Sequence, residues 1–384
     1  MDERTYFDWN ASAPLREEAR VAMVNALELT GNASSVHAEG RAARRLVEEA
    51  RTRVASLVGA DPKNVTFTSG ATEANVMALT PALEVGGRRS SRDRLFVSAI
   101  EHPSVRSGGR FAVGDIEQLP VTNDGVVDLT VIAGALQGAE RPLVSIMLAN
   151  NETGVVQPIS QVAKVVHAAS GLLHVDAVQG PGRIACDIAT LGADLMSISS
   201  HKLGGPQGVG ALVSRGDIHI AEPLVRGGGQ ERGQRAGTEN VAAIAGFGAA
   251  AGATNLAEIE RVALLRAQLE EGIAAITPEA VIFGVDAPRL PNTILFAVPG
   301  LKAETAVIAF DLNGIAVSSG AACSSGRVQA SSVLAAMGAD PGLTRGTVRI
   351  SLGWSTTEND VHRFLETWKV LAGSLLKEKR GIAA

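Results

Sequence analysis

From Asn64 onward, short apolar runs alternate with helical stretches, and this alternation restricts the chain to few architectures. We predict strands at 65–68, 95–99, 143–148, 172–176, 195–199 and 209–213. The stretches near 72–84, 128–138 and 158–169 have the spacing of apolar residues that is typical of helices. Strands interleaved with helices indicate a mainly parallel sheet with helices on both faces. The fold class is therefore predicted to be α/β.

A smaller α+β unit is predicted to follow this sheet, since 384 residues are more than one domain usually needs. Two long helices, 239–252 and 255–276, follow the sheet, and the α+β unit after them has predicted strands at 293–298 and 348–352 and a final helix from about Glu358. We assign residues 14–256 to the large domain. Residues 1–13 and 257–384 are assigned to the small one.

Composition and charge exclude several classes of protein. The net charge of −5 and the pI near 5.9 give no electrostatic reason to bind nucleic acid or an anionic membrane. The N-terminus lacks the apolar run of a secretory signal, and no apolar stretch reaches about 18 residues. Two cysteines, Cys186 and Cys323, do not make a disulfide framework. We therefore predict a cytoplasmic protein.

Lys202 follows the predicted strand 195–199, and ligands of open α/β sheets bind at such strand ends. The chain has only 7 lysines among its 35 basic residues, so a lysine between His201 and a Gly-Gly turn is unusual here. Buried lysine amines lose their proton readily, and lysines that form Schiff bases depend on this. Taken alone, however, Lys202 is better explained as a charge on a mobile loop.

Two further groups near strand ends complement this lysine. Asp176 closes an otherwise apolar strand, where a carboxylate is rare unless it has a partner. The turn Ser69–Thr72 precedes a predicted helix, whose N-terminus favours an anion, although an ordinary helix cap has the same sequence. Pyridoxal phosphate needs a lysine amine, an acid at its ring nitrogen and an anion site. Metal binding is disfavoured, because the histidines lack paired spacing.

Three other features are ambiguous when they are considered alone. His102 precedes a proline, so its ring projects from an extended loop, but a structural histidine has the same pattern. The polar run 150–154 suits a binding loop or a plain turn. Cys323 lies among small residues at 318–326, which we predict to be an exposed, mobile loop with a reactive thiol. Cys186 is predicted to be buried and inert.

Together, these clusters resemble the motifs of cysteine desulfurases of the iron–sulfur-cluster-assembly type, within the class V aminotransferase family. The matching motifs run nearly end to end: Ser-Gly-Ala-Thr-Glu, Glu-His, Asn-Asn-Glu-x-Gly, His-Val-Asp-Ala-x-Gln, Ser-x-His-Lys, Gly-Gly-Gly-Gln-Glu-Arg-Gly-x-Arg-x-Gly-Thr and Ser-Ser-Gly-x-Ala-Cys. The resemblance implies the fold of pyridoxal-phosphate-dependent transferases of fold type I. It also implies a role for each matching residue.

Around the ring of pyridoxal phosphate, the resemblance implies four contacts. Lys202 is similar to the lysine that bonds covalently to the cofactor. Asp176 would pair with the ring nitrogen, and Gln179 would bond the phenolic oxygen. His102 would stack on the ring and assist proton transfer.

The phosphate and the substrate have their own implied ligands. The residues that would hold the phosphate are Ala71, Thr72, Ser199 and His201. In the family, the residue matching Thr238 reaches the phosphate from the other subunit, which implies a homodimer. Asn151 and Arg349 resemble the pair that positions the cofactor and the substrate carboxylate, a task suited to a bidentate guanidinium.

The implied reaction takes sulfur from L-cysteine, releases alanine and leaves a persulfide on Cys323. The sulfur would then pass to an acceptor protein, either an iron–sulfur scaffold or another sulfurtransferase. A selenocysteine lyase or a related aminotransferase is the alternative, although an aminotransferase needs no such thiol. A catalytically idle partner protein is disfavoured, because both Lys202 and Cys323 are present. The acceptor stays open, since the segment after Cys323 and the short C-terminus depart from the family pattern.

Overall fold

The computed structural model describes residues 4–320 and 331–376. The strands are β1 (Thr5–Tyr6), β2 (Val65–Thr68), β3 (Ala82–Val85), β4 (Arg88–Ser91), β5 (Leu95–Ser98), β6 (Ile116–Leu119), β7 (Leu143–Ser145), β8 (Leu172–Asp176), β9 (Leu195–Ser199), β10 (Gly210–Ser214), β11 (Ile218–Ile220), β12 (Val281–Ile282), β13 (Thr293–Ala297), β14 (Ile315–Ala316), β15 (Ser318–Ser319) and β16 (Thr347–Ser351). The helices are α1 (Glu17–Leu27), α2 (Ala38–Leu57), α3 (Ala71–Ala78), α4 (Pro103–Arg106), α5 (Leu129–Ala135), α6 (Ile159–Ala168), α7 (Ile188–Leu191), α8 (Val241–Gly252), α9 (Ala257–Ile276), α10 (Ala303–Leu312), α11 (Ser332–Ala336), α12 (Pro341–Thr344) and α13 (Glu358–Leu375).

The main sheet confirms the predicted mainly parallel α/β architecture. Within the described residues it has seven strands in the order β2-β10-β9-β8-β7-β5-β6. β10 is antiparallel to both β2 and β9, and the other pairs are parallel. In the register of β8 and β9, Asp176 lies opposite Ser197. The carboxyl ends of these two strands therefore meet at one edge of the sheet.

Helices α1 and α2 both pack against α8 beside this sheet. α2 buries Val47, Ala50 and Val54, which recur at helical spacing, and leaves most of its charged residues exposed. α8 approaches it very closely at Gly248. A Cβ atom there would lie 2.4 Å from the Cα of Ala50, so only glycine permits this packing distance.

One predicted helix is wrong in its second half. The stretch 72–84 is helical only to Ala78, and β3 follows. Pro81 explains the break, since proline lacks an N–H and disfavours helical backbone in the residue before it. β3 then pairs with β4 across Gly86 and Gly87, whose φ values of 58° and 71° suit a tight hairpin turn.

A second, antiparallel sheet has the order β12-β13-β16-β15 over the described ranges. Its helices α9, α10 and α13 share an apolar core with aromatic side chains, in which Phe310 stacks on Phe364. Phe7 belongs to the same core, and β1 pairs with β14. The N-terminal segment thus packs against the C-terminal part of the chain. The domain bounds given above stay a prediction.

The segment predicted as an exposed loop at 318–326 begins differently. Ser318 and Ser319 form β15 and pair with β16, and Ser318 is buried. Two residues are too few to show a strand period, so the sequence pattern contains no signal for this pairing. Cys323 lies outside the described residues. Cys186 is only 4% exposed, which confirms its predicted burial.

Over the described ranges, no helix combines the length and the apolar character needed to cross a membrane.

Candidate active site

A cavity of about 550 Å³ opens at the carboxyl ends of β8 and β9. Its volume lies in the range of small-molecule sites. The predicted site residues that line it are Ala71, Thr72, His102, Asn151, Asp176, Gln179, Ser199, His201, Lys202 and Arg349. Thr238 does not line the cavity of its own chain and is exposed on a surface loop. Cys323 is beyond the described residues. The roles of all these residues stay a prediction.

Lys202 reaches into the cavity just after β9 ends. Its Nζ donates hydrogen bonds to the backbone carbonyl of Asn10 at 2.6 Å and to that of Ala11 at 2.8 Å. From the sequence, residues 1–13 were assigned to the small domain and this contact was not predicted. The available signal was weak: a polar Asn10 that follows the aromatic run Tyr6–Trp9.

Asp176 and His102 belong to one hydrogen-bonded network. Asp176 accepts from the backbone N–H of Val178 at 3.1 Å and from the side chain of Asn75 at 2.9 Å. Asn75 also donates to Ser104 Oγ at 2.9 Å, and this oxygen lies 2.8 Å from His102 Nδ1. Neither Asn75 nor Ser104 was predicted from the sequence.

The protonation of His102 follows from its neighbours. The backbone N–H of Ser104 donates to Nδ1 at 3.2 Å, so Nδ1 is an acceptor and the neutral ring carries its proton on Nε2. Burial lowers the pKa of His102, although the charge of Asp176 opposes this. A neutral imidazole therefore faces the cavity near pH 7.

Arg349 presents a buried guanidinium from β16. Nη1 donates to the carbonyl of Asn151 at 3.0 Å, and Nη2 donates to Asp8 Oδ1 at 2.6 Å. Its Nε has no hydrogen-bond partner among the described residues. A donor in this state is a suitable ligand for a carboxylate. Asp8 is a further contact that sequence reasoning missed.

The turn before α3 is suited to an anion. α3 begins at Ala71 without a side-chain cap, so the N–H groups of its first turn are available to a ligand. Ser199 and His201 line the same cavity. Burial lowers the pKa of His201 to about 4, assisted by the charges of Lys202 and Arg183. At neutral pH His201 is therefore an uncharged hydrogen-bonding group.

Two buried acids follow the neighbouring strands β5 and β7, and neither was predicted. Glu101 accepts from Ser98 Oγ and from the backbone N–H of Met147, both at 2.6 Å. Burial raises its pKa to about 8, and the charge of Asp176 adds to the increase. Glu152 accepts from Ser331 Oγ, and burial raises its pKa to about 7. The cavity thus has weakly ionised carboxyl groups behind its polar lining.

The donor set fits pyridoxal phosphate. A lysine amine, a buried carboxylate and an uncapped helix N-terminus all border one cavity of suitable size. These are the three groups that this cofactor requires. The unpartnered Nε of Arg349 adds a donor for a second anion, such as a substrate carboxylate.

Comparisons with known proteins cover nearly the whole chain. The family model for class-V aminotransferases matches residues 5–364. A cysteine desulfurase of Cereibacter sphaeroides is 40% identical over 95% of this chain and 94% of its own length. The X-ray structure of a NifS-like protein from Rickettsia africae ESF-5 has a TM-score of 0.87 at 34% identity, and the match covers 97% of this chain and 100% of that one. The structure of SspA in complex with cysteine has a TM-score of 0.76 at 28% identity, over 91% of this chain and 98% of that one.

Proposed function

The chain belongs to the class-V aminotransferase family, and on that basis we propose that it is a cysteine desulfurase that uses pyridoxal phosphate. The observation that carries the proposal is that Lys202 and Asp176, from the ends of neighbouring strands, line one cavity together with the N-terminus of α3. The relative with 40% identity is named a cysteine desulfurase, and one solved structure, that of SspA, is in complex with cysteine. Neither comparison favours a selenocysteine lyase or an aminotransferase.

The residues that would hold the cofactor ring come from three strand ends. Lys202 would hold its aldehyde carbon, and Asp176 its ring nitrogen. Gln179 would donate to the phenolic oxygen, and His102 would lie against the ring. When bound, pyridoxal phosphate supplies an electron sink for charge that develops at the substrate Cα.

The phosphate would lie at the first turn of α3. Ala71 and Thr72 belong to that turn, and Ser199 and His201 border it from β9 and the residues after it. Because His201 is neutral, the helix N-terminus supplies most of the positive potential there.

Substrate binding and proton transfer are proposed for four residues that line the same cavity. Arg349 would bind the carboxylate of L-cysteine, and Asn151 would position the cofactor beside it. Lys202 Nζ would take the proton from the substrate Cα, since its amine lies within the cavity. His102 Nε2 holds a proton that it can deliver.

Cys323 would receive the sulfur. Its thiolate attacks the sulfur of L-cysteine, so that an S–S bond forms while the Cβ–S bond breaks. Cβ takes a proton in place of the sulfur, and alanine leaves. The described residues on either side support this assignment, since Ser318 pairs with Arg349 and Ser331 contacts Glu152.

We also propose a cytoplasmic homodimer that passes its sulfur to an acceptor protein, either an iron–sulfur scaffold or another sulfurtransferase. α1 leaves Val21, Val24 and Leu27 exposed, and apolar side chains in such a row favour burial against a second copy. Thr238 is exposed in the single chain, so it is accessible to the phosphate site of a partner subunit.

The proposal is tested with variants of the two reactive side chains. Lys202→Ala is expected to lose the visible absorption of the purified protein. Cys323→Ala is expected to keep that absorption but to release no sulfide from L-cysteine in the presence of a reductant. Cys186→Ala is the matched control and should retain both the visible absorption and the release of sulfide from L-cysteine. Sulfide release by Cys323→Ala at the wild-type rate would exclude the persulfide route.

A further inference from the structure

Arg183 is a buried cation directly behind the lysine of the site. Its side chain is only 6% exposed. Nη1 donates to the side-chain Oε1 of Gln179 and to the backbone carbonyl of the same residue at 3.2 Å. Nη2 donates to the carbonyl of Trp9 at 3.2 Å and, in a longer contact, to that of Lys202 at 3.4 Å. Arg183 therefore connects the segment at Trp9 with two residues of the cavity wall, Gln179 and Lys202.

All of these acceptors are uncharged. Among the ion pairs of residues 4–320 and 331–376, none includes Arg183. Burial and, to a smaller extent, the positive charge of Arg349 lower the pKa of Arg183 to about 9. The guanidinium is still protonated at neutral pH. A buried charge without a counter-charge is costly for the fold, so its position needs another explanation.

Its effect on Gln179 provides that explanation. A guanidinium has only donors, so the carbonyl end of the Gln179 side chain must face it. The amide NH₂ is then directed the other way, and Nε2 donates to the carbonyl of Asn10 at 3.0 Å. The same carbonyl accepts from Lys202 Nζ. Arg183 thus determines that Gln179 presents a donor beside the lysine amine.

We propose that Arg183 is a positioning residue that orients the Gln179 amide toward the group bound at Lys202 and keeps a positive charge behind that lysine. The inference rests on the proposed use of pyridoxal phosphate. A nearby cation and a donor both disfavour protonation of the nitrogen at Lys202. Loss of the cation or of the donor is therefore expected to raise the pKa of that nitrogen.

Other charged or titratable groups surround this part of the site and should be unchanged in the variants. They come from separate elements: His102, Asp176, Cys186, His201 and Arg349.

The test is a pH titration of the visible absorption spectrum of the holoenzyme. Arg183→Met keeps the bulk of the side chain but removes the charge and the donors. Its spectral midpoint is expected to rise by about one pH unit, a tenfold change in proton affinity. Arg183→Lys keeps the charge but loses the planar fork, so a smaller rise is expected. Arg141→Met is the control, since Arg141 is exposed at the opposite edge of the sheet, and its midpoint should equal that of the wild type.

An unshifted midpoint in Arg183→Met overturns the inference. If that variant does not fold, Arg183→Lys decides, and an unshifted midpoint there has the same consequence. In a Gln179→Ala background the shift from Arg183→Lys should shrink, because the amide to be oriented is gone. Failure of the proposed function looks different: the wild type itself would lack the absorption, or Lys202→Ala would retain it.

Discussion

Arg51 and Arg183 are buried to nearly the same extent, at 3% and 6% exposure, but their surroundings are opposite. Arg51, on α2, donates to both carboxylate oxygens of Glu231, at 2.6 and 2.9 Å. Burial alone would lower the pKa of Arg51, but the hydrogen bonds and charges of Glu231 and Glu48 raise it above its ordinary value. Arg183 has only carbonyl oxygens as partners, and its pKa falls.

The difference separates a structural role from a role in the site. Glu231 also accepts from the backbone N–H of Phe67 on β2. The ion pair therefore connects the glycine-rich segment that contains Glu231 to the main sheet. Glu231 and Arg232 have φ values of 46° and 56°, a backbone that costs roughly 1–3 kcal/mol per residue outside glycine. The compensated pair offsets that strain. Arg183, which has no counter-charge among the described residues, contacts the backbone of Lys202, and we propose that its charge acts on the cofactor bound there.

Glu231→Ala should have the largest effect on stability. It removes the buried counter-charge of Arg51 and leaves only the half-exposed Glu48, so we expect the free energy of unfolding to fall by roughly 3–5 kcal/mol. Urea unfolding of the cofactor-free protein measures this. Glu48→Ala is the matched control, because Glu48 also contacts Arg51 but is half exposed, so its loss should be below about 1 kcal/mol. Equal losses in both variants would show that the buried carboxylate of Glu231 stabilises the fold no more than the half-exposed one of Glu48.

Glu101 extends the comparison to acids, since no ion pair within residues 4–320 and 331–376 includes it, whereas Glu231 is paired with Arg51. Its pKa is raised from 4.5 to about 8, so the folded protein binds a proton that the unfolded chain has lost. The stability contributed by that proton is complete below about pH 4.5 and is lost as the pH rises toward 8. Between these values the unfolding free energy of the wild type should fall with pH more steeply than that of Glu101→Gln, by up to about 1.4 kcal/mol per pH unit.

Urea unfolding at several pH values between 5 and 8 compares the two proteins. Parallel curves for wild type and Glu101→Gln would mean that Glu101 is ionised in the folded state.

Arg183→Met should destabilise the cofactor-free protein by less than about 2 kcal/mol. The variant leaves the acceptors at Trp9 and Gln179 without a donor, but it also removes the cost of a buried charge. Urea unfolding of Arg183→Met and Glu231→Ala, each compared with the wild type, measures the two losses of unfolding free energy. A loss as large as that in Glu231→Ala would show that Arg183 holds the fold together in the same way as Arg51.

The smallest effect is expected when the native protein is treated with a thiol reagent, since the Cys186 thiol should not react. Burial raises its pKa to about 12, and the nearby charge of Arg183 only partly opposes this. The thiol is therefore neutral and inert. A maleimide at pH 8 should leave the Cys186 peptide of the native protein unlabelled, as mass spectrometry can check. Rapid labelling of Cys186 would show that burial does not protect it.

Much of the main sheet could be predicted, because apolar periodicity is a local property. β2, β8 and β9 begin and end where the sequence indicates, which places Asp176 and Lys202 at one edge. β7 is shorter than predicted and ends at Ser145. The helix expected over 72–84 fails for a local reason, at Pro81.

The missed parts of the site are those made by residues far apart in the chain. Asp8 reaches Arg349, and Asn10 and Ala11 reach Lys202, because Phe7 packs in the C-terminal core. No local pattern encodes such contacts. The same holds for Arg183, whose partners come from three separate segments.

By itself, the sequence determined most strands of the main sheet and the polar groups that end them, since these depend on neighbours along the chain. Only the tertiary structure decided which charges are compensated. Arg51 and Arg183 cannot be distinguished as residue types. One meets Glu231 and the other meets only carbonyl oxygens, because burial and pairing are set by packing in three dimensions.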